Sequence, residues 1–111
     1  MEELLQRLRK FRDDREWSKF HTPKDLAVSV SIEAAELLEI FQWRPADKAL
    51  DPASVEAIRG EAADILLYLA LLCDAAGVDL LQAAHQKVDA NEQRFPVEAS
   101  RGIAKPVSRL P

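Results

Sequence analysis

The sequence predicts an all-α protein, and three observations carry that expectation. Apolar residues recur at helical spacing through most of the chain. No stretch alternates convincingly between apolar and polar residues, and no Asn-Gly or Asp-Gly pair marks a hairpin. Two cap-plus-proline starts, Thr22-Pro23 and Asp51-Pro52, and a helix-ending glycine, Gly77, punctuate the pattern.

The first helix is read from about Glu2 to Glu16, with Leu4, Leu5, Leu8 and Phe11 as its apolar stripe. Trp17 to His21 form a linker. The second helix starts at the Thr22 cap and runs to about Gln42, because Arg44 precedes Pro45 and the residue before a proline disfavours helix. A polar loop over residues 44–51 leads to the third helix, Pro52 to Ala76. Gly60 inside it costs about 1 kcal/mol relative to alanine, which fits either a packing glycine or close approach by a backbone or ligand beside Glu61. Asp79 caps a fourth helix to about Phe95, stopped by Pro96. The expected organisation is a helical domain over residues 1–96 and an extended tail over residues 97–111.

The third helix is apolar on nearly every face from Ala62 to Ala76, apart from Asp64, Tyr68 and Asp74. Such a helix has to be covered on all sides, and three short helices of one small chain cover it poorly. A homo-oligomer, dimer or tetramer, is therefore expected, with a different partner protein as the other way to complete the core.

Bulk composition narrows the functional classes. At 111 residues, 48% apolar and 31% charged, the chain is expected to be globular and to form one domain. A net charge of −4 argues against a nucleic-acid polymer as the main partner. The apolar run from Ile65 to Cys73 is too short to span a bilayer, so no membrane partner is expected. The start, MEELLQRLRK, has no apolar signal region, and the single cysteine, Cys73, reads as a packed thiol; both suggest a cytoplasmic protein.

Four acids carry the chemistry. Glu33 and Glu36 form one pair, Glu61 and Asp64 another, and each pair lies in apolar sequence. Spacing of three puts both carboxylates of a pair on one helix face. Two such helices side by side aim four carboxylates at one point, which only a positive charge makes tolerable. All-oxygen ligation favours Mg²⁺, with Mn²⁺ as substitute, and such an ion suggests a phosphate substrate. Glu39 falls partly round the helix and reads as solvated or supporting. Iron of the Glu-x-x-His type is disfavoured, because Ser18 and Gln82 stand three residues before His21 and His85. Zinc lacks its cysteines and paired histidines.

Polar stripes continue from the acids. Tyr68 shares the face of Glu61 and Asp64. Lys87, Asn91 and Arg94 share a stripe on the fourth helix, as a phosphate and sugar clamp or as an ordinary polar face. Trp17 and Trp43 flank the second helix and fit either base stacking or an interface.

These residues resemble a known group. Glu33-x-x-Glu36 followed by Glu61-x-x-Asp64, with Arg15 to Leu26 (REWSKFHTPKDL), the Phe41-Gln42-Trp43 element, Lys87 to Pro96 (KVDANEQRFP) and Ser100 to Lys105 (SRGIAK), looks like the MazG-like all-α nucleoside triphosphate pyrophosphohydrolases, and most like their dCTP pyrophosphatase branch. The resemblance implies a four-helix bundle of that type with an irregular tail, assembled as an oligomer. It implies Mg²⁺-dependent hydrolysis of a (deoxy)nucleoside triphosphate to monophosphate and pyrophosphate, dCTP or a modified dCTP, in nucleotide-pool cleansing. Glu33, Glu36, Glu61 and Asp64 match the family's metal ligands. Lys87 and Asn91 match nucleotide contacts, Tyr68 an active-site aromatic, and Trp17, His21 and Trp43 the surroundings of the base. Arg94, with Lys87, is expected to stabilise the leaving pyrophosphate. The chain departs from the pattern at Leu8, where the mammalian relatives are expected to carry a histidine near the base. A sibling enzyme for a dUTP-like nucleotide and a non-enzymatic helical binding module are the alternative readings.

Overall fold

A computed structural model describes residues 1–103, and these are helical, with no strand among them. Two compact units divide the chain, Met1–Val78 and the segment from Asp79 onward. The first unit holds α1 (Glu2–Asp14), a 3-10 turn (Trp17–Phe20), α2 (Pro23–Glu39) and α3 (Pro52–Ala76). The second holds α4 (Leu80–Arg94) and a single turn, α5 (Val97–Ser100).

The helix starts follow from side-chain caps. Thr22 Oγ1 accepts from the Asp25 N–H at 3.1 Å, Asp51 Oδ1 from the Ser54 N–H at 2.7 Å, and Asp79 Oδ1 from the Gln82 N–H at 3.0 Å. Each satisfies a donor that the first helical turn leaves without a partner. Gly77 closes α3 at φ +71°, a left-handed conformation that glycine adopts freely, while the Val78 N–H reaches back to the Cys73 carbonyl at 2.8 Å.

Three boundaries differ from the sequence reading. α1 ends at Asp14 rather than Glu16, because Glu16 takes a left-handed φ of +53° that no α-helix accommodates. α2 ends at Glu39 rather than near Gln42: the Ile40 and Phe41 N–H groups bond three residues back, to Leu37 and Leu38, so the helix tightens into turns before Pro45 is reached. Arg44 then pins the following loop by donating to Ser54 Oγ and, at 3.1 Å, to the Ala49 carbonyl. Residues 97–103, read as extended, contain the α5 turn. The remainder of the expected tail, Lys105 included, lies outside the described residues.

In the first unit α2 lies along α3, and α1 packs on α3 as well. Leu26, Ala70 and Leu71 are the buried apolar residues among those described, so this core is small. An ion pair reinforces the α1–α3 contact. Arg9 donates through Nε to Asp74 Oδ2 at 3.1 Å and through Nη2 to Asp74 Oδ1, a two-pronged arrangement that fixes orientation as well as distance. The Arg9 hydrogen bond holds the Asp74 carboxyl below its usual range. α3 is not covered all round within one chain: Leu66 is exposed, as are Val28, Ile32 and Leu38 on α2.

Candidate active site

The acid cluster is built by two helices that run side by side. On α2, Glu33 and Glu36 are one turn apart; on α3, Glu61 and Asp64 are likewise. Contact between α2 and α3 brings one carboxylate oxygen from each of Glu33, Glu61 and Asp64 within 4.8 Å of one another. Glu36 stands close enough to raise the pKa of both Glu33 and Glu61. Glu33, Glu36 and Glu61 are half-buried, whereas Asp64 is exposed. Asp64 is exposed although apolar residues flank it in sequence, because α1 and α2 together leave one side of α3 uncovered. Glu39 is exposed and outside the cluster, in keeping with its solvated reading.

Crowding has an electrostatic signature. The Glu33 carboxyl is pushed up to about 7, first by its hydrogen-bonding proximity to Glu36, then by burial and by Glu61. Burial raises Glu61 as well, with Glu36 and Asp64 adding repulsion. Glu33 Oε2 and Glu61 Oε2 are shut from solvent and meet no hydrogen-bond donor. A buried carboxylate oxygen without a donor is costly, and a hard divalent cation is the partner that satisfies several such oxygens together. The donor set, all oxygen with nearby like charges, fits Mg²⁺ or Mn²⁺.

A cavity of about 240 Å³ opens beside the cluster. α1 contributes Leu8, Phe11 and Arg12, the 3-10 turn and the residue after it Trp17 and His21, and α3 Asp64, Leu67, Tyr68 and Leu71. Asp64 thus belongs both to the acid cluster and to the pocket wall. Phe11 and Trp17 meet edge to face, with ring centroids 5.7 Å apart, and the Arg15 guanidinium lies over the Phe11 ring at 3.7 Å. His21 Nδ1 is buried without a hydrogen-bond partner.

The structure therefore brings together Glu33, Glu36, Glu61, Asp64, Trp17, His21 and Tyr68 within the first unit. It does not bring Trp43 to them: that side chain is 88% exposed and lines neither the pocket nor the acid cluster. Lys87, Asn91 and Arg94 share α4 at the expected spacing, in the second unit. Arg12, Leu67 and Leu71 were not singled out from sequence, and Phe11 was read only as part of the apolar stripe of α1. Their signal was present in the helical period, since Leu8, Phe11 and Arg12 share one face of α1, and Asp64, Leu67, Tyr68 and Leu71 one face of α3.

Comparison with known proteins places this geometry. The sequence model of the MazG-like family matches residues 28–110. Proteins named dCTP pyrophosphatase 1 from Mus musculus and Homo sapiens are 37% and 31% identical over all of this chain, which spans 68% of their length. A crystal structure of a pyrophosphatase from Archaeoglobus fulgidus is 50% identical, with a TM-score of 0.77 over 86% of this chain and 92% of that one. These likenesses extend over the whole chain and over its fold: the chain belongs to the MazG-like family, on the branch of its dCTP pyrophosphatase relatives.

Proposed function

We propose that this chain hydrolyses a (deoxy)nucleoside triphosphate, dCTP or a modified dCTP, to the monophosphate and pyrophosphate with Mg²⁺, as a nucleotide-cleansing enzyme of the cytoplasm. The observation that carries the reading is the double membership of Asp64, which makes a phosphate-side acid cluster continuous with an aromatic pocket of base-binding character. A triphosphate nucleotide needs those two environments next to each other.

Glu33, Glu36, Glu61 and Asp64 would hold the divalent cation, which supplies charge neutralisation to the phosphates when bound. Glu36, half-buried beside Glu33, is the acid assigned to orient the attacking water toward the α-phosphorus. Trp17, in the pocket wall, is assigned as a stacking face, and Tyr68, one turn beyond Asp64 in the same wall, is assigned to the boundary between base and phosphates. Lys87, Asn91 and Arg94 are assigned to sugar and pyrophosphate from the sequence pattern rather than from any distance. Among the described residues no helix is long and apolar enough to cross a membrane. The exposed apolar side chains Val28, Ile32, Leu38 and Trp43 favour assembly with further copies of this chain, where Trp43 would find its base-binding role.

The deciding experiment is a panel of canonical and modified triphosphates assayed for pyrophosphate release with Mg²⁺, with Mn²⁺ and with chelator. Metal-dependent release, highest with a cytosine nucleotide, supports the reading. Release favouring dUTP moves the protein to a sibling specificity, and no release from any triphosphate sinks the activity.

A further inference from the structure

We propose that Arg12 and His21 form the hydrogen-bonding wall of the pocket and select a base through an acceptor oxygen, which in dCTP is its single carbonyl at C2. The inference rests on the nucleotide reading of this site and adds the edge of the base that the site recognises.

Most of the lining cannot read a base. Leu8, Phe11, Leu67 and Leu71 offer apolar surface, and Asp64 is engaged by the acid cluster. Arg12 is different. A guanidinium carries five N–H donors and no acceptor. Its Nε is committed to Asp13 Oδ1 at 2.8 Å, while its Nη1 stands 3.8 Å from Asp74 Oδ2, outside hydrogen-bond distance. The side chain is 20% exposed, and its remaining donors make no hydrogen bond within the described residues. A ligand oxygen in the pocket is the partner they lack.

His21 adds a second polar point. Its Nδ1 is closed off from solvent and unpartnered, and the residue lines the pocket. A neutral imidazole presents that nitrogen as donor or as acceptor, according to tautomer. His21 therefore tolerates an amino or an oxo edge, whereas Arg12 requires an acceptor. Selectivity for the acceptor resides in Arg12, and His21 strengthens binding of any polar edge.

The test compares dCTP with 2-thio-dCTP, in which a weakly accepting sulfur replaces the C2 oxygen. In the unmodified protein the KM for 2-thio-dCTP is expected to lie about tenfold above that for dCTP with kcat little changed, in line with the loss of one charge-assisted hydrogen bond. In Arg12→Leu the two KM values should converge. His21→Phe, which keeps ring shape and removes both nitrogens, should raise the KM for dCTP about tenfold. Equal KM values in the unmodified protein, or a gap that persists in Arg12→Leu, overturn the role of Arg12 and make it a structural partner of Asp13 and Asp74. An unchanged KM in His21→Phe removes His21. Should Arg12→Leu fail to fold, Arg12→Gln, which keeps much of the side-chain length and loses the charge, takes its place: a gap that narrows supports Arg12 and a gap that persists overturns it. Should no triphosphate release pyrophosphate, the activity fails, and calorimetry with a non-hydrolysable dCTP and its 2-thio counterpart still decides the pocket.

Discussion

Glu33 Oε2 on α2 and Glu61 Oε2 on α3 are both closed off from solvent, and neither meets a donor. Repulsion at this point opposes folding of the metal-free chain and favours capture of a cation. Glu33→Gln removes one charge and supplies donors. It is expected to raise the Tm of the metal-free protein while lowering kcat by about 10²–10³-fold, the size of loss typical for a group that stabilises transition-state charge. Thermal melts in chelator together with pyrophosphate assays check both halves. A Glu33→Gln protein that is less stable and fully active would return this residue to ordinary surface chemistry.

The pH dependence has a definite sign. Glu33 titrates at about 7 in the folded chain against an ordinary 4.5. Between those values the folded state binds the proton that the unfolded state has released, so stability of the metal-free protein falls as pH rises from about 4.5 to 7 and stays low above that. Saturating Mg²⁺ should reverse the trend above pH 7, because the cation prefers the deprotonated cluster. Metal affinity should fall as pH drops through 7. Melts across this range, with and without Mg²⁺, measure it.

Asp74 orients α1 and hence the wall that carries Leu8, Phe11 and Arg12. Asp74→Asn weakens the two-pronged grip of Arg9. The expected outcome is a Tm lower by about 5 °C and a KM raised several-fold with kcat largely retained. Since Arg9 holds the Asp74 carboxyl low, this stabilisation is present at neutral pH and disappears only as pH falls below the ordinary carboxylate range. Melts at pH 7 and pH 3 separate the two regimes.

Gly60 gives a cleaner stability test. A methyl group built there meets nothing within 4 Å, so neither packing within the chain nor close backbone approach explains it. Gly60→Ala should stabilise α3 by about 0.5–1 kcal/mol through helix propensity. Denaturant melts of the metal-free protein read this directly. A loss of stability would show that a second copy approaches the helix at this point.

Leu38 is 66% exposed on α2, in company with Ile32 and Val28. Leu38→Glu should shift the protein toward monomer in sedimentation equilibrium if this face meets another copy. An assembly unmoved by that charge would place the interface elsewhere.

The sequence by itself determined the local facts. Thr22, Asp51 and Asp79 were legible as caps, and Gly77 as a terminator, because capping chemistry acts over three or four residues. The carboxylate pairs were legible for the same reason, since a helical period places residues three apart on one face whatever surrounds them. The MazG-like resemblance rested on those spacings together with the stretches Arg15 to Leu26, Phe41 to Trp43 and Lys87 to Pro96, and family membership bears it out. Helix ends at Asp14 and Glu39 escaped the reading because they depend on the left-handed Glu16 and on turns after Leu37, which no composition signal marks. Tertiary structure alone decided which distant residues meet. Packing of α1 and α2 against α3 gathered Trp17, His21 and Tyr68 beside Asp64, added Arg12, and left Trp43 outside. It also left Glu33 Oε2 and Glu61 Oε2 without donors. Contacts between helices depend on how side chains of separate segments interlock, and that information is spread over the whole chain rather than written in any one stretch of it.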